Sequence, residues 1–444
     1  MSRIRLIAFV ACSLLVASPL TFAGGTNEKA AAGTTVTWFL NAGQADQQAF
    51  KDLKAVVEKK TGYTIAFNVI PAESPELYKK IDLALMAGDT TDIMPVDSDI
   101  YALKYASNEF VLPLDGTARK IGVDLDTAFG TYLQKYRDRL PTASNDPDGH
   151  PYFIPVEVSL NQCFYNKSIF DDAGVPYPKA PWTWNDLVAT AKKLTNPAKG
   201  IYGLFTNEDY EYQYYFQARQ RNAVAYRNGA WDFTGPAFAD ALGFYASLGN
   251  DLKVMPSRLE FDTKKIQWDA FMTGKYGMWI VGSWAFQLFG DRTTYPRTWK
   301  YGFTSVPTPS DGSGGVTLGG LTLMGICKNS RQPEAALRTL LAIADSYWSS
   351  IKTIPAKPSM TVQEKKGVIA GIVSEQDGIT ADVVDTVFFK SGLGFRGEKY
   401  IAPGAAELQD VWLQEAGLYC VGQRSLADSL AAISQRMNEA AQKK

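Results

Sequence analysis

The fold of this 444-residue chain is decided by residues 152–187, YFIPVEVSLNQCFYNKSIFDDAGVPYPKAPWTWNDL. The segment begins with an apolar strand that Pro155 interrupts and that carries a single carboxylate, Glu157. A second β-rich run follows and ends in Tyr-Asn-Lys. After a turn, residues 183–186 form a near capping box that starts a helix. A lone carboxylate in such a strand is costly to bury without partners, which makes Glu157 a candidate functional residue.

The residues before this segment predict an open α/β sheet. The pattern begins with a strand (Val36, Trp38, Leu40), a helix (Phe50, Leu53, Val56, Val57, ended by Gly62) and a second strand (Ile65, Phe67, Val69). A helix is then predicted to start at Ser74-Pro75-Glu76, and Asp92 begins a third strand that ends at residue 96. A strand–helix–strand succession of this length favours parallel strands, in a sheet where ligands bind beyond the carboxyl ends of the strands.

The composition excludes several classes of function. The 45 basic and 46 acidic residues nearly cancel, so nucleic acid and anionic membranes are poor partners. His150 is the only histidine, so Ser-His-Asp and Cys-His catalysis would rest on one loop residue, and histidine-rich zinc sites are absent. No phosphate-binding loop motif occurs in the sequence. We therefore expect no cofactor and no metal, and a chain of this length predicts two or three domains.

The N-terminus has the features of a cleaved signal peptide. Arg3 and Arg5 precede an apolar run, and residues 21–23, Thr-Phe-Ala, offer a cleavage site. We predict a signal peptide at residues 1–23, a flexible tail at 24–33 and a periplasmic or extracytoplasmic location. A lipid anchor on Cys12 is the less favoured alternative, because the apolar run continues past it. The remaining three cysteines lie far apart in apolar elements (Cys163, Cys327, Cys420), so burial is predicted and a disulfide framework is not.

Four further segments, together with residues 152–187, resemble bacterial extracellular solute-binding proteins, the family of maltose-binding proteins that serve ABC importers. The segments are MAGDTTDIMPVDSD (86–99), FMTGKYGMWIVGSWAF (271–286), YGFTSVPTPSDGSGGVTLGGLTLMGI (301–326) and LQDVWLQEAGLYCVGQRSLADSLAAISQRMNEA (408–440). The resemblance spans residues 34–440, and its strength lies in the order and spacing of the motifs. Thr91 stands where the family has proline and Gly277 where it has alanine, departures that bear on the ligand and not on the fold.

The resemblance implies a two-lobed, type II periplasmic-binding-protein fold. Each lobe is an open α/β sheet flanked by helices, and hinge strands join the two. The expected boundaries are 34–154 with 302–345 for lobe 1, and 155–301 with 346–444 for lobe 2. The implied function is that of a monomeric, non-enzymatic component of an ABC importer. It would capture a sugar or oligosaccharide in the cleft by hinge closure and deliver it to a membrane permease.

The resemblance assigns ligand roles to Glu157 and Trp284. The matching glutamate accepts hydrogen bonds from sugar hydroxyls, and the matching tryptophan stacks on a pyranose face. The alternatives are an edge-strand glutamate that faces water and a core tryptophan.

Two further candidates follow predicted strands at the ligand face of a parallel sheet. Asn41 ends the first strand, and its amide can donate to and accept from sugar hydroxyls. A capping or turn role is the equal alternative. Asp97 and Asp99 follow the third strand, and we assign ligand binding to Asp97 and helix capping to Asp99.

Three candidates come from later in the chain. Tyr212 is chosen among Tyr210, Tyr212 and Tyr214, which share one face as a strand but not as a helix; the resemblance places an aromatic side chain near here in the cleft wall, and core packing is the alternative. Gly320 would let a ligand approach the backbone closely, or simply form a turn. Arg396 could donate a pair of hydrogen bonds into the cleft, whereas the alternative is a surface arginine.

Two other functions remain open from sequence alone. A secreted glycosidase needs two carboxylates about 5–10 Å apart, and Glu157 with Asp97 could supply them. A binding protein of the same fold could take a polyol or a sugar phosphate. An anionic ligand favours clustered arginine or lysine, and Arg396 is the one loop arginine with a reason to lie at the cleft.

Overall fold

The computed structural model describes residues 33–72, 76–137, 140–142 and 146–442. The predicted signal peptide, Cys12 and residues 24–32 of the predicted tail lie outside these ranges, as do Ser74 and Pro75 of the predicted helix start. None of the described helices is both long enough and apolar enough to cross a membrane.

The fold is mixed α/β. The strands are β1 (Thr35–Asn41), β2 (Thr64–Ile70), β3 (Ile93–Val96), β4 (Lys135–Arg137), β5 (Leu140–Thr142), β6 (His150–Pro151), β7 (Phe153–Asn166), β8 (Tyr202–Phe205), β9 (Tyr226–Arg227), β10 (Ala230–Trp231), β11 (Tyr276–Gly282), β12 (Tyr301–Ser305), β13 (Val316–Ile326) and β14 (Gly394–Gly397).

Helices separate and follow these strands. They are α1 (Ala42–Asp46), α2 (Gln48–Thr61), α3 (Glu76–Met86), α4 (Asp99–Ser107), α5 (Asp115–Lys120), α6 (Leu125–Phe129), α7 (Lys167–Ala173), α8 (Trp184–Leu194), α9 (Glu211–Tyr214), α10 (Phe216–Gln220), α11 (Pro236–Asn250), α12 (Arg258–Lys264), α13 (Phe286–Gly290), α14 (Pro333–Ile351), α15 (Val362–Ile372), α16 (Ala381–Phe389), α17 (Leu408–Cys420) and α18 (Leu426–Gln442). Short 3₁₀ turns lie at Gly130–Tyr132, Pro197–Lys199, Ala270–Thr273, Ser283–Ala285 and Ala405–Glu407.

Two long strands, β7 and β13, organise the main sheet. Within the described residues its order is β2-β1-β3-β13-β7-β11-β8, with β12 paired to β7 and β14 paired to β13. The first half of β7 pairs with β13, and its second half pairs with β11 and β12. The two ends of β13 pair with β14 and β3. Both strands therefore cross from one half of the sheet to the other.

The predicted α/β pattern at the start of the chain is confirmed. β1 runs parallel to both β2 and β3, and α2 buries Phe50, Leu53 and Val57. Gly62, in the left-handed conformation with φ of 74°, ends α2 as expected. Val69 is exposed, contrary to the alternating pattern, because β2 is the edge strand of the sheet.

Two local expectations from the middle of the chain are also confirmed. Thr183 and Asp186 form a complete capping box at the start of α8, with a hydrogen bond in each direction. Cys163, Cys327 and Cys420 are free and buried, and burial raises the pKa of each thiol.

Asp92 ties the start of β3 to β1 and to the segment before α14. Its buried carboxylate accepts hydrogen bonds from the backbone and hydroxyl of Thr37 at 2.8 and 2.9 Å. Ser330 and the amide of Gln332 donate to the same carboxylate at 2.6 and 2.9 Å. A buried charge with this many donors is compensated, and removing it leaves the donors without an acceptor.

We expect Asp92→Ala to lower the free energy of unfolding by about 3 kcal/mol, because three residues lose a buried acceptor. Urea denaturation at pH 7 measures the change. Asp172→Ala, an exposed site on α7, is the matched control and should change stability by less than about 0.5 kcal/mol. Equal effects in the two variants would contradict a structural role for Asp92.

Candidate ligand-binding site

The carboxyl end of β3 faces the segment after β14, and we call the space between them the recess; the charges of Asp97 and Lys399 interact across it. Asp97 directly follows β3. Solvent reaches its side chain, but many protein atoms lie around the carboxylate and reduce its solvation. This enclosure raises the pKa of Asp97 by desolvation, while a hydrogen bond from Tyr78 and the charge of Lys399 lower it in part. Asp97 thus follows β3 as predicted, and its role in ligand binding stays a prediction.

The start of α4 forms one wall of the recess. Ser98 caps this helix through its hydroxyl, so the predicted capping role of Asp99 is wrong. Asp99 instead accepts a hydrogen bond from Gln134 at 2.8 Å, and desolvation raises its pKa. Tyr101 stacks on Tyr78 with ring centroids 4.0 Å apart. This wall therefore combines two carboxylates with an aromatic pair.

The opposite wall is built by the residues around α9. Residues 211–214 are helical, so the three tyrosines at 210, 212 and 214 do not share a strand face. Tyr212 is 2% exposed, and its hydroxyl donates to Asn161 at 3.5 Å. Tyr210 is half-buried, stacks on Tyr212 at 5.6 Å and feels the charges of Glu398 and Asp97. Tyr210 is thus the more accessible ring at the recess, and Tyr212 packs behind it.

Glu398 and Lys399 form the floor, directly after β14. Glu398 is half-buried and accepts a hydrogen bond from Asn161 on β7 at 3.2 Å. Desolvation raises the pKa of Glu398 to about 7. Lys399 lies 3.7 Å from the buried carboxylate of Glu211. The charges of Glu211, Glu398 and Asp97 raise the pKa of Lys399 against the desolvation that lowers it.

Two arginines fix β14 against α10 by a reciprocal set of hydrogen bonds. Arg219 donates from Nε to the carbonyl of Gly397 at 3.0 Å and from Nη2 to that of Lys399 at 3.3 Å. Arg396 donates to the carbonyls of Arg219 and Gln220. The guanidinium of Arg219 also lies over the ring of Tyr400 at 4.2 Å. We call this arrangement the arginine clasp.

Trp284 lies beside the crossover strands. Its backbone N–H donates to the hydroxyl of Ser159 on β7 at 3.3 Å, and Ser159 pairs with Gly320 on β13. Its half-buried indole stands edge-on to Trp279, with centroids 5.9 Å apart. Trp268 lies 5.9 Å from Trp284 and is 41% exposed. An accessible aromatic pair therefore adjoins the strands that carry the floor of the recess.

Gly320 faces Glu398 across the floor. A Cβ at residue 320 would lie 3.2 Å from Oε1 of Glu398. Gly320 is therefore a point on β13 where the absence of a side chain leaves the carboxylate accessible.

No group of three or more histidine, cysteine or acidic residues within the described ranges could hold a metal ion. The recess offers hydrogen-bonding carboxylates, one ammonium group and flat aromatic surfaces. Such a set suits recognition of hydroxyl groups and of the apolar faces of a ring.

A family model described as bacterial extracellular solute-binding protein matches residues 37–340. The chain belongs to this family. A putative binding protein of Brucella abortus (strain 2308) is 24% identical over 305 residues, which cover 67% of this chain and 69% of that protein. The resemblance noted in the sequence is therefore confirmed.

Solved structures of similar fold cover nearly all of this solute-binding protein. An ABC substrate-binding protein of Listeria monocytogenes, in complex with cycloalternan, has a TM-score of 0.75 at 21% identity and covers 93% of this chain and 100% of that one. Maltose-bound MalE3 of T. maritima gives 0.66 at 18% identity, with 91% and 99% coverage. A solute-binding protein of Agrobacterium radiobacter K84 in complex with ribitol gives 0.65 at 20% identity, with 92% and 98% coverage. The predicted two-lobed type II fold is confirmed.

The structure gives other sequence-predicted candidates local structural roles. Asn41 ends β1 as expected, but its side chain accepts from the backbone of Gln44 at 2.6 Å and so caps α1. Arg396 directs its guanidinium to backbone carbonyls in the arginine clasp, and neither to a free surface nor into the recess. Ligand roles for these two residues stay predictions without support from their contacts.

Glu157 lies in the interior of the sheet. It is 4% exposed on β7, which is a central strand, so the alternative of an edge-strand glutamate facing water is wrong. It accepts a hydrogen bond from Thr322 at 3.3 Å and faces Tyr347 of α14. Desolvation raises its pKa to about 7, and the Thr322 hydrogen bond lowers it in part. A ligand contact from Glu157 stays a prediction.

Sequence reasoning missed Glu398, Lys399, Asn161 and Trp268, and it chose Tyr212 over Tyr210. Glu398 and Lys399 directly follow Gly397 in the loop segment that contains the candidate Arg396, and this charged pair was the available signal. Asn161 had a weaker signal, as a polar residue within a mostly buried strand.

The pKa of Glu157 predicts a pH dependence of stability. A carboxyl whose pKa rises from 4.5 to about 7 on folding favours the folded state below pH 4.5, and this contribution is lost as the pH rises to 7. The unfolding free energy of Glu157→Gln minus that of wild type should therefore increase by up to roughly 3 kcal/mol from pH 4.5 to pH 7.5. Urea denaturation of both proteins across this range tests it, and parallel profiles would contradict it.

Proposed function

We propose that this protein is the extracytoplasmic substrate-binding component of an ABC importer and that it captures a sugar or polyol in the recess. The observation that carries the proposal is the meeting of Asp97, Glu398 and Tyr210 in one accessible recess, with Trp284 beside the adjoining crossover strands. These side chains come from different elements of a fold whose solved examples include complexes with cycloalternan, maltose and ribitol.

The charges around the recess favour a ligand without negative charge. Four carboxylates surround it, from Asp97, Asp99, Glu211 and Glu398. Lys399 is already engaged by these carboxylates, and both guanidinium groups of the clasp are directed at backbone carbonyls. A phosphate or carboxylate on the ligand would meet repulsion, and the cations that the described residues place at the recess are already engaged. A neutral sugar or polyol is therefore preferred over a sugar phosphate.

The crossover strands supply a hinge in this proposal. β7 crosses the predicted boundary between residues 154 and 155, and β13, which lies within the lobe 1 range, pairs with it and shifts register at Thr322/Leu323. Opening and closing would occur between lobe 1 (34–154 with 302–345) and lobe 2 (155–301 with 346–444). A ligand that contacts both lobes only in the closed form favours closure, and the closed monomer then docks on a membrane permease.

The first experiment is a thermal-shift screen of residues 24–444, the predicted mature chain, against maltose, maltotetraose, D-tagatose, ribitol and glucose 6-phosphate. A ligand at 100 times its Kd stabilises a protein by about 2.7 kcal/mol, which gives a visible rise in Tm. We expect a specific rise with a neutral compound that is recovered unchanged. A hydrolysed sugar would support the glycosidase alternative, and a rise with the phosphate alone would contradict a neutral ligand.

Trp284→Ala should weaken binding of the neutral compound found in the screen by at least about 1 kcal/mol, roughly fivefold in Kd, because an exposed aromatic face is lost from the site. Isothermal titration calorimetry measures the change. Trp348→Ala is the matched control, since Trp348 is half-buried on α14 and donates to the carbonyl of Asp345. An unchanged Kd for Trp284→Ala would remove this indole from the site.

A further inference from the structure

The two oxygens of the Glu398 carboxylate have different environments. Oε2 accepts the hydrogen bond from Asn161. For Oε1, no hydrogen bond is found in the part of the chain that the structure describes. Oε1 lies over Gly320, where the Cβ of any larger residue would stand 3.2 Å away. One oxygen is thus held by the protein, and the other is left toward the recess.

The position of this carboxylate is fixed by contacts on both sides. Asn161 is fully buried and also donates to the carbonyl of Leu318 at 3.1 Å, so its amide has a defined orientation. The arginine clasp binds the carbonyls of Gly397 and Lys399, on either side of Glu398. A side chain placed this firmly has lost its conformational entropy before a ligand arrives, which is the condition for a specific contact.

We propose that Glu398 contacts the ligand through Oε1 as the acceptor for a hydroxyl group, with Asn161 as its positioning residue and Gly320 as the gap that admits the hydroxyl. This inference rests on the proposed function and adds to it a ligand-contacting residue and the kind of group it selects. Ligands that present a donor at this point are favoured, and analogues that lack the donor or carry an anion there are rejected.

Protonation of Glu398 should control this contact. The ionised carboxylate accepts strongly, and the protonated form loses most of that strength. Because the pKa of Glu398 is raised to about 7, the ionised fraction falls about tenfold from pH 8 to pH 6. The titratable groups that face Glu398 come from its own segment and from the elements packed against it: Lys399, Glu211, Asp99, Tyr210 and Tyr212.

The test measures Kd by calorimetry for whichever of maltose, maltotetraose, D-tagatose and ribitol gives the largest thermal shift with wild type. Glu398→Gln keeps the shape but removes the charge, and we expect Kd at pH 8 to rise at least tenfold, as for loss of a hydrogen bond to a charged group. Wild type should bind up to about tenfold more weakly at pH 6 than at pH 8, and the variant should lose most of this difference.

Two further variants separate ligand contact from a structural role. Gly320→Ala places a methyl group against Oε1 and should weaken binding severalfold, while Gly315→Ala, where a Cβ meets no neighbour within 4 Å, should not. Lys399→Gln removes the charge that lowers the pKa of Glu398, so the pH-dependent loss of affinity should begin at a higher pH. A purely structural role would not shift this profile.

The outcomes distinguish the two proposals. If wild type binds none of the four compounds, the proposed function fails and this inference fails with it. If wild type binds one of them while Glu398→Gln binds equally well with the same pH profile, the inference alone is overturned. A tenfold loss in Glu398→Gln at an unchanged Tm, with the shifted profile in Lys399→Gln, supports it.

Discussion

β7 and β13 pair antiparallel from Gly319 opposite Leu160 to Gly325 opposite Phe153. β3, β11, β12 and β14 pair directly with one of these two strands, and β1, β2 and β8 are joined to them through β3 and β11. The pairing continues on both sides of a register shift, so the two halves of the sheet are joined through these strands. The backbone of Val158 also donates to the carbonyl of Ile354, so a third pass of the chain is tied to the same point. In the proposed function, relative movement of the halves would be absorbed by these residues, and the register shift at Thr322/Leu323 is where their pairing is irregular.

The same pairing explains why two glycines stand together on β13. A Cβ at Gly319 would lie 2.3 Å from the carbonyl of Ser159, so the close approach of the strands excludes a side chain there. At Gly320 the neighbour is not backbone but the carboxylate of Glu398. Adjacent glycines thus serve different purposes, the first for strand packing and the second for access to the recess. The arginine clasp completes the arrangement, because it holds β14 against α10 and so keeps Glu398 at this place.

Patterns within one element were readable from the sequence, whereas contacts between distant elements were not. The alternation of Val36, Trp38 and Leu40, the cap at Thr183 and the position of Asp97 after β3 follow from local spacing. Asn161 and Glu398 are 237 residues apart, and no local pattern reports that they meet. Arg396 shows the limit most clearly. The sequence indicated the right segment, but the side chain of Arg396 donates to a backbone carbonyl, and it is Glu398, two residues later, that lies at the recess. The family motifs predicted the fold, but side-chain roles depend on tertiary contacts that such motifs do not specify.

The three buried cysteines make chemical reactivity a measure of folding. A thiol reacts as its thiolate, and burial raises the pKa of each of the three thiols and so favours the neutral form. Cys163 lies on β7, Cys327 directly follows β13 and Cys420 ends α17. Alkylation at any of them therefore requires that region to open. The rates of labelling at the three positions would report separately how often the crossover strands and the C-terminal helices come apart, without any introduced probe.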